Sequence, residues 1–246
     1  MILRRGAFRP QVVHVRLADD NLVPALDDVL GWVDAIGADP TVATIRTSAL
    51  FSKAADRFQH AGFEVADTLS LLRAELSSAP VRRALRAPTG APRPAMGTAN
   101  LRRRDYHAAA AVDRAAFGDS WALGPADLDE IRQATPQHRA RSRFRRSRWF
   151  SRPIEAFAVA GASRQHGYLQ RLAVDPAHQR RGHGRHLTAD ALRWMSRRGL
   201  RDCLVNTSVD NDSALALYES VGFHVMADQL LVLQLDVRSL ETEAAP

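Results

Sequence analysis

Cysteine is almost absent from the sequence. Cys203 is the only one among 246 residues, which excludes a disulfide framework and a zinc site built from cysteines. The apolar runs are also short, because none approaches the ~20 residues that a membrane span needs. The first segment, "MILRRGAFRP", lacks the apolar core of a secretory signal. These absences predict a cytoplasmic protein that has no membrane partner.

Lysine is nearly absent as well. Lys53 is the only lysine, so the other 33 of the 34 basic residues are arginine, and the net charge is +7. Codon bias in a GC-rich genome is the simpler explanation and the one we favour. The alternative is an anionic partner, such as a nucleic acid, a phosphorylated cofactor or an acidic surface. The charge by itself does not distinguish these explanations.

Two common phosphate-binding motifs are missing. No third glycine follows Gly184 in the step of a G-x-G-x-x-G motif, and no Walker G-K-[ST] sequence occurs. The chain contains instead "QRRGHG", residues 179–184, between an apolar run and a long helical pattern. Free N–H groups and the dipole at a helix start attract anions, and glycines allow the backbone to approach a phosphate. With Arg180, Arg181 and Arg185 adding charge, the loop is predicted to bind phosphate.

The chain is predicted to consist of two lobes. Residues 77–98 contain four prolines and indicate a largely extended linker, whereas residues 238–246 are predicted to be a disordered tail. In residues 99–237, apolar strand patterns alternate with helical patterns, which favours an α/β sheet.

The N-terminal lobe, residues 11–76, contains an internal repeat. Residues 47–72 align without gaps to residues 207–232 at a constant offset of 160. Seven positions are identical between the two copies: Thr47, Ser48, Ala54, Gly62, Phe63, Val65 and Leu71 match Thr207, Ser208, Ala214, Gly222, Phe223, Val225 and Leu231. Chance similarity of two amphipathic helices is the alternative, but the gap-free register favours duplication. Phe51 and Phe58 replace polar residues of the second copy.

The sequence Gln179-x-x-Gly182-x-Gly184 resembles the signature of the GNAT superfamily of N-acetyltransferases. The resemblance covers the whole C-terminal lobe, where further residues stand in the family's order: Asn211, Tyr218, Gly222 and Phe223. It implies an α/β fold with a mixed, mostly antiparallel sheet flanked by helices. A smaller α/β half-repeat lobe precedes it, and this degenerate GNAT-like half-domain has no pyrophosphate loop. The implied activity is transfer of an acetyl group from acetyl-CoA to a primary amine, without a metal.

The resemblance also implies a set of site residues. The pantetheine arm of acetyl-CoA would pair with the backbone of Leu172, Ala173 and Val174 in a V-shaped slot. The coenzyme's pyrophosphate would lie on the loop formed by Gln179, Arg180, Arg181, Gly182, His183, Gly184 and Arg185. Asn211 would contact the coenzyme or fix the loop beneath it. Tyr218 would act as the general acid for the leaving thiolate.

A general base is missing from the expected position. Many members of the family have a glutamate on the strand before the pyrophosphate loop, but residues 168–171 read Tyr-Leu-Gln-Arg. A water chain or a carboxylate from another segment would have to accept the proton. Candidate carboxylates cluster around the first two helices of the lobe: Asp119, Asp127, Asp129 and Glu130. A solvated helix face explains this cluster equally well.

Three other features leave alternatives open. Residues 139–148 contain six arginines, which we expect to face water on a strand, although nucleic-acid binding is an alternative. His183 and His186 have the spacing of metal ligands, but coenzyme contact or solvent exposure is favoured. The acceptor amine is undefined and belongs to a small molecule or a protein. A non-catalytic CoA-binding module is the main alternative function, since the carboxylate is absent.

Overall fold

The computed structural model describes residues 1–19, 22–86, 96–145 and 153–238. These residues form ten strands: β1 (Ile2–Arg5), β2 (Val12–Arg16), β3 (Thr44–Thr47), β4 (Glu64–Glu75), β5 (Met96–Asn100), β6 (Gln137–Arg145), β7 (Ile154–Ser163), β8 (His166–Val174), β9 (Asp202–Ser208) and β10 (His224–Asp236). They also form seven α-helices: α1 (Leu26–Gly37), α2 (Ser52–His60), α3 (Ala79–Arg86), α4 (Tyr106–Phe117), α5 (Pro125–Gln133), α6 (His183–Ser196) and α7 (Asp212–Ser220).

The chain divides into two compact units. The first comprises residues 1–71, 206–210 and 226–246, and the second comprises residues 72–205 and 211–225. This division differs from the predicted lobes. The reason is that the end of β4 packs into the second unit, whereas most of β10 belongs to the first.

In the first unit, the strands follow the order β1-β2-β3-β10-β4. β1 pairs antiparallel with β2, β2 parallel with β3, and β3 antiparallel with β10. Helices α1 and α2 contribute their apolar faces to one core, which includes the buried residues Val29, Val33, Ile45, Phe58 and Leu233. The sequence missed β1, a four-residue edge strand whose Ile2 and Leu3 are exposed.

In the second unit, β9, β8, β7, β6 and β5 are consecutive neighbours in the sheet. β5, β6, β7 and β8 pair antiparallel in turn, and only β8 and β9 pair in parallel. Helices cover both faces. A Cβ added at Gly161 would meet Thr135, which follows α5, whereas one at Gly167 would meet Met195 of α6. The predicted mixed, mostly antiparallel sheet flanked by helices is therefore confirmed.

The repeat found in the sequence has a structural counterpart. α2 and α7 begin and end at positions that differ by the same 160 residues, and β4 and β10 also begin at that offset. Gly62 and Gly222 both adopt positive φ, 90° and 99°, just after these helices. The N–H of the next phenylalanine then donates to the carbonyl of Phe58 in one copy and Tyr218 in the other, at 3.1 Å in both. Two copies with the same helix ending support duplication.

The predicted linker is helical where the structure describes its first part. Residues 79–86 form α3 instead of extended chain, because Val81 and Ala84 recur at helical spacing and are buried in the core of the second unit. Pro80 stands in the first turn of α3, where a missing N–H costs nothing. Residues 87–95 of the linker, the end of the arginine-rich stretch at 146–148, and residues 239–246 of the tail lie outside the described residues.

Candidate functional site

The segment from β8 to α6 forms a concave arrangement of backbone N–H groups. Asp175 begins it, and its carboxylate accepts a hydrogen bond from the N–H of Ala177 at 2.9 Å. Arg180 and Gly182 then adopt left-handed φ angles of 58° and 79°. No N–H group in residues 180–185 donates a hydrogen bond within the described chain. α6 begins at His183 with no acidic residue in its first turn, so the loop has the backbone geometry and charge that favour an anion. We refer to it below as the anion-binding loop.

Gly184 packs closely against α7 and lies within ordinary contact distance of β8. A Cβ at this position would stand 2.9 Å from Leu217 and 3.9 Å from Leu172 and Val174. Gly182 has open space around its own Cβ position, so only its positive φ requires glycine. Glycine is therefore required at these two positions for different reasons: backbone conformation at Gly182 and close packing at Gly184.

β8 and β9 separate along their length, as expected for a slot. Their parallel pairing is limited to His166–Tyr168 against Asp202–Leu204. From Leu169 to Val174, the edge of β8 that faces β9 has no partner strand among the described residues. β7 occupies the other edge up to Val174. Free backbone groups thus line a slot that leads to the anion-binding loop.

The arginines of the loop are exposed or half-buried at the surface. Arg181 donates to the carbonyl of Ala177 at 3.2 Å, and Arg185 donates to the Ser220 hydroxyl at 2.9 Å. Arg180 makes no hydrogen bond or ion pair with the described residues. Gln179, just before them, is exposed. These cations surround the free N–H groups and add to their attraction for an anion.

His183 is buried instead of exposed to solvent. Its Nε2 lies 3.3 Å from the carboxylate of Glu155, and its Nδ1 accepts a hydrogen bond from Arg143 at 3.1 Å. Burial and the charge of Arg143 lower the pKa of His183. His186 is also partly buried, and burial followed by Arg143 lowers its pKa to about 4. The side chain of His183 therefore points away from solvent, and only its backbone N–H remains for an anion.

His183 and His186 contact different partners. No group of three or more potential metal-ligating side chains is found within the described ranges. His186 faces the hydroxyl of Thr98 at 3.2 Å, and Glu155 accepts from Arg145 at 3.2 Å. A buried polar network thus fixes the first turn of α6 to β5, β6 and β7.

Asn211 and Tyr218 lie at the start and near the end of α7. The side-chain oxygen of Asn211 accepts hydrogen bonds from the N–H of Ala214 at 3.1 Å and the hydroxyl of Ser213 at 3.0 Å. Asn211 is therefore an N-cap. Tyr218 is 5% exposed, and its ring packs on Phe223 with centroids 5.5 Å apart. Burial raises the pKa of Tyr218, and the charge of Arg171 partly opposes this effect, so its hydroxyl stays protonated near neutral pH.

An ion pair that the sequence did not reveal lies on β8. The register of β7 and β8 shifts at Gln170, so Gln170 and Arg171 lie on the same face of the sheet. Arg171 donates to both oxygens of Asp113, at 2.7 and 2.8 Å, and to the carbonyl of Trp121 at 2.9 Å. Asp113 is fully buried. A cation thus stands beside the slot, where the family pattern led us to look for a carboxylate.

The other candidate carboxylates already have partners. Asp119 accepts hydrogen bonds from Arg114, and Asp129 from Arg103. Asp127 is buried and accepts a 2.8 Å hydrogen bond from the N–H of Gly124 at the start of α5. Glu130 is exposed. Hydrogen bonds within the fold therefore account for three of these four residues.

The prediction that the arginines of β6 face water is wrong for Arg139, Arg141 and Arg143, which are half-buried, and holds for Arg145, which is exposed. Alternate residues of this strand point towards α6, where acidic and polar side chains receive them. Arg139 donates to both oxygens of Asp190 at 2.8 and 3.0 Å, and Arg141 lies 3.7 Å from the same carboxylate. Arg143 and Arg145 bind His183 and Glu155. Arg139, Arg141 and Arg143 are half-buried and bonded within the fold, whereas Arg145 pairs with Glu155 but stays exposed. The three half-buried charges weaken the nucleic-acid hypothesis; Arg146 and Arg148 lie outside the described residues.

The sheet, the slot and the loop of unpaired N–H groups belong to an α/β fold with a mixed, mostly antiparallel sheet. Residues 137–223 match the profile of the acetyltransferase (GNAT) family. The resemblance of this part of the chain to the GNAT family, inferred from its sequence, is therefore confirmed. Within the described part of the chain, no helix has the length and apolar character needed to cross a membrane.

Curated relatives match only part of their own length. Over 71 residues the chain is 36% identical to [ribosomal protein bS18]-alanine N-acetyltransferase of Escherichia coli K12. The matched segment covers 29% of this chain and 48% of that protein. Over 64 residues it is 39% identical to mycothiol acetyltransferase of Kocuria rhizophila, covering 26% of this chain and 21% of that protein. The chain therefore spans half or less of the relatives it matches.

Solved structures extend the likeness in fold to nearly the whole chain. A GCN5-related N-acetyltransferase from Sphaerobacter thermophilus covers 96% of this chain, with 75% of its own length matched, a TM-score of 0.62 and 13% identity. A tandem GNAT protein from the clavulanic acid biosynthesis pathway covers 85%, with 68% of its own length matched, a TM-score of 0.60 and 12% identity. At such identities the likeness concerns the fold.

Proposed function

We propose that this chain transfers an acetyl group from acetyl-CoA to a primary amine. The observation that carries the proposal is the continuity of two features: the unpaired edge of β8 runs directly into the loop of free N–H groups at residues 180–185. An extended amide-containing arm suits the first feature, and a pyrophosphate suits the second.

The residues that would hold acetyl-CoA are those that the family resemblance implies, and the geometry is consistent with them. The backbone of Leu172, Ala173 and Val174 would pair with the amides of the pantetheine arm. The N–H groups of residues 180–185 would bind the pyrophosphate, with Arg180 adding charge. Asn211 caps α7 through its oxygen, which leaves its amide nitrogen for the coenzyme or the loop. Gln179 would lie at the entrance of the loop.

The chain's residues would assist acyl transfer at two points. A neutral amine attacks the thioester carbonyl, a C–N bond forms, and the C–S bond breaks. Backbone N–H groups near Ala173 or Val174 would stabilise the oxygen that gains charge. Tyr218, protonated at neutral pH, would give its proton to the departing thiolate. The proton that the amine loses would pass to water, because none of the three paired aspartates is free to take it.

A non-catalytic CoA-binding module is the second candidate function, supported by Gln170 and Arg171 at the position of the missing carboxylate.

The relatives are named for acceptors as different as the alanine of a ribosomal protein and mycothiol, so they do not select an acceptor for this chain. The acceptor is therefore best sought without bias.

Thiol release and mass spectrometry together test the proposal. The protein is incubated with acetyl-CoA and a panel of amines, and both free CoA and acetylated product are measured. Binding of acetyl-CoA by calorimetry is measured in parallel. Product formation with CoA release would support the enzyme. Tight binding without any product, across proteins, peptides and small amines, would instead favour the binding module.

A further inference from the structure

Arg171 presents a fixed cation beside the slot. Its Nε and Nη2 are held by the two oxygens of Asp113 and by the carbonyl of Trp121, and its guanidinium stacks on Phe117 at 3.6 Å. Its Nη1 makes no hydrogen bond to any described residue, and 19% of the side chain remains exposed. A guanidinium that is already oriented loses little entropy when its free edge binds an anion. Arg171 therefore has one donor edge available for a ligand.

Arg171 lies beside the slot, on the sheet face opposite the start of α6. β8 stops pairing with β9 after Tyr168, so Arg171 lies on the separated part of the strand, just before Leu172. Its guanidinium lies on the sheet face covered by α4 and α5, whereas Gly184 and the start of α6 contact the other face through Leu172 and Val174.

The aspartates on the same face offer little to a second positive charge. Asp113 is bound to Arg171, Asp119 to Arg114, and Asp129 to Arg103. Asp127 is buried as a helix cap. A polyamine would meet the charge of Arg171 at the slot without an unpaired aspartate among these four. An acceptor that carries an anion would instead gain a charge-assisted hydrogen bond.

We propose that Arg171 selects an acceptor that carries a carboxylate close to its amine, which is the chemistry of a free amino acid. This inference rests on the proposed acetyl transfer and narrows its substrate class. The carboxylate would bind Nη1 of Arg171, and the amine would then lie towards the thioester beside Tyr218. Acceptors that lack the carboxylate would lose this bond and be acetylated less efficiently.

Matched pairs of amines test the selection. Glycine, β-alanine and 4-aminobutyrate are each compared with their primary amides, and cadaverine and spermidine serve as cationic acceptors. We expect kcat/KM for the best carboxylate to exceed that for its amide by about 10- to 100-fold, the range of one charge-assisted hydrogen bond. Equal rates for acid and amide, or a preference for the diamine, would overturn the proposal. So would a preference for peptides with an acidic side chain over every free amino acid.

A neutral double variant assigns the effect to Arg171. Arg171→Met alone would leave a buried charge on Asp113, so it is combined with Asp113→Asn, which keeps an oxygen for the N–H of Leu123. The ratio of kcat/KM for the amino acid to kcat/KM for its amide should then fall towards one. The control is Arg139→Met with Asp190→Asn, which removes a similar two-bond pair on the opposite face and should keep the ratio. A ratio that survives in the Arg171 double variant would refute the assignment.

A binding measurement separates this inference from the proposed function. If acetyl-CoA binds but no amine is acetylated, the transferase proposal fails. Calorimetry on the CoA-saturated protein then compares each amino acid with its amide. Binding of the acid that the Arg171 double variant loses would uphold the carboxylate site, whereas equal binding or none of either would overturn it.

Discussion

Tyr218 is the residue on which the proposed chemistry depends most directly. Its phenol is buried on α7 and stays protonated at neutral pH, because burial raises its pKa. Phe58 occupies the equivalent position of the first repeat, where it packs on Phe63 as Tyr218 packs on Phe223. The repeat therefore shows that a phenylalanine fits this packing without the hydroxyl.

The first prediction follows for Tyr218→Phe. A proton given to the departing thiolate stabilises mainly the transition state, so kcat should fall by ~10²–10⁴-fold while acetyl-CoA affinity stays nearly constant. Steady-state kinetics with the best acceptor and calorimetry with acetyl-CoA measure the two quantities. Equal kcat in both proteins, under conditions where chemistry limits turnover, would leave Tyr218 with a packing role only.

At the scale of elements, the loop between β8 and α6 is predicted to determine coenzyme affinity. Gly182→Val places a side chain in a left-handed backbone conformation and among the free N–H groups. It should weaken acetyl-CoA binding sharply, and Gly184→Val should do the same by crowding Leu217 and the ligand. Calorimetry measures both affinities.

Gly199→Val is the matched control for backbone strain. Gly199 has a φ of 70° and open space at its Cβ position, like Gly182, but it follows the far end of α6. The strain at a left-handed position, roughly 1–2 kcal/mol, is then present in both variants. Acetyl-CoA affinity should survive in Gly199→Val. Unchanged affinity in both loop variants, with the fold intact, would remove the loop from the binding site.

The elements of the second unit were predicted well because their patterns are local. β7 has a continuous apolar run, and α6 and α7 have helical spacing and terminal glycines. The direction of the β6 arginines was not predictable, since Asp190 and His183 stand about 40 to 50 residues further along the chain. The pairing of Arg171 with Asp113 spans 58 residues and depends on how α4 lies on the sheet. The loop's role in coenzyme binding stays a prediction.

At the scale of the whole molecule, four histidines predict loss of stability in acid. The pKa values of His14 and His186 are lowered to about 4, mainly by burial. Burial is also the main cause that lowers the pKa values of His138 and His183. The unfolded chain therefore binds more protons than the folded one below about pH 6.5, the ordinary histidine value.

The free energy of unfolding should fall as the pH decreases from about 6.5 towards 4. After allowance for solvent screening, each of the two largest shifts contributes on the order of 1 kcal/mol. Urea unfolding at pH 7.5, 6 and 5 measures the change. In His14→Gln, the free energy of unfolding should depend less steeply on pH. A free energy that is constant over this interval would contradict the prediction.

The last prediction concerns how many coenzyme molecules the chain binds. The first unit repeats the fold but lacks both parts of the candidate site. β2 and β3 pair over residues 12–15, and the N–H of Ser48 continues the pairing at the carbonyl of Val15, so these strands leave no slot. At the start of α1, the carboxylate of Asp28 already accepts from the N–H of Ala25 at 3.3 Å. Its charge repels phosphate.

One acetyl-CoA should therefore bind to each chain. Calorimetric titration gives the stoichiometry directly, with a protein concentration determined independently. Gly182→Val supplies the control, because weakening the loop after β8 should remove the whole binding heat instead of leaving half of it. Two sites per chain, or a remaining site in Gly182→Val, would mean that the first unit binds the coenzyme despite its closed strands. In that case the two copies of the repeat would have kept a common function through different loops.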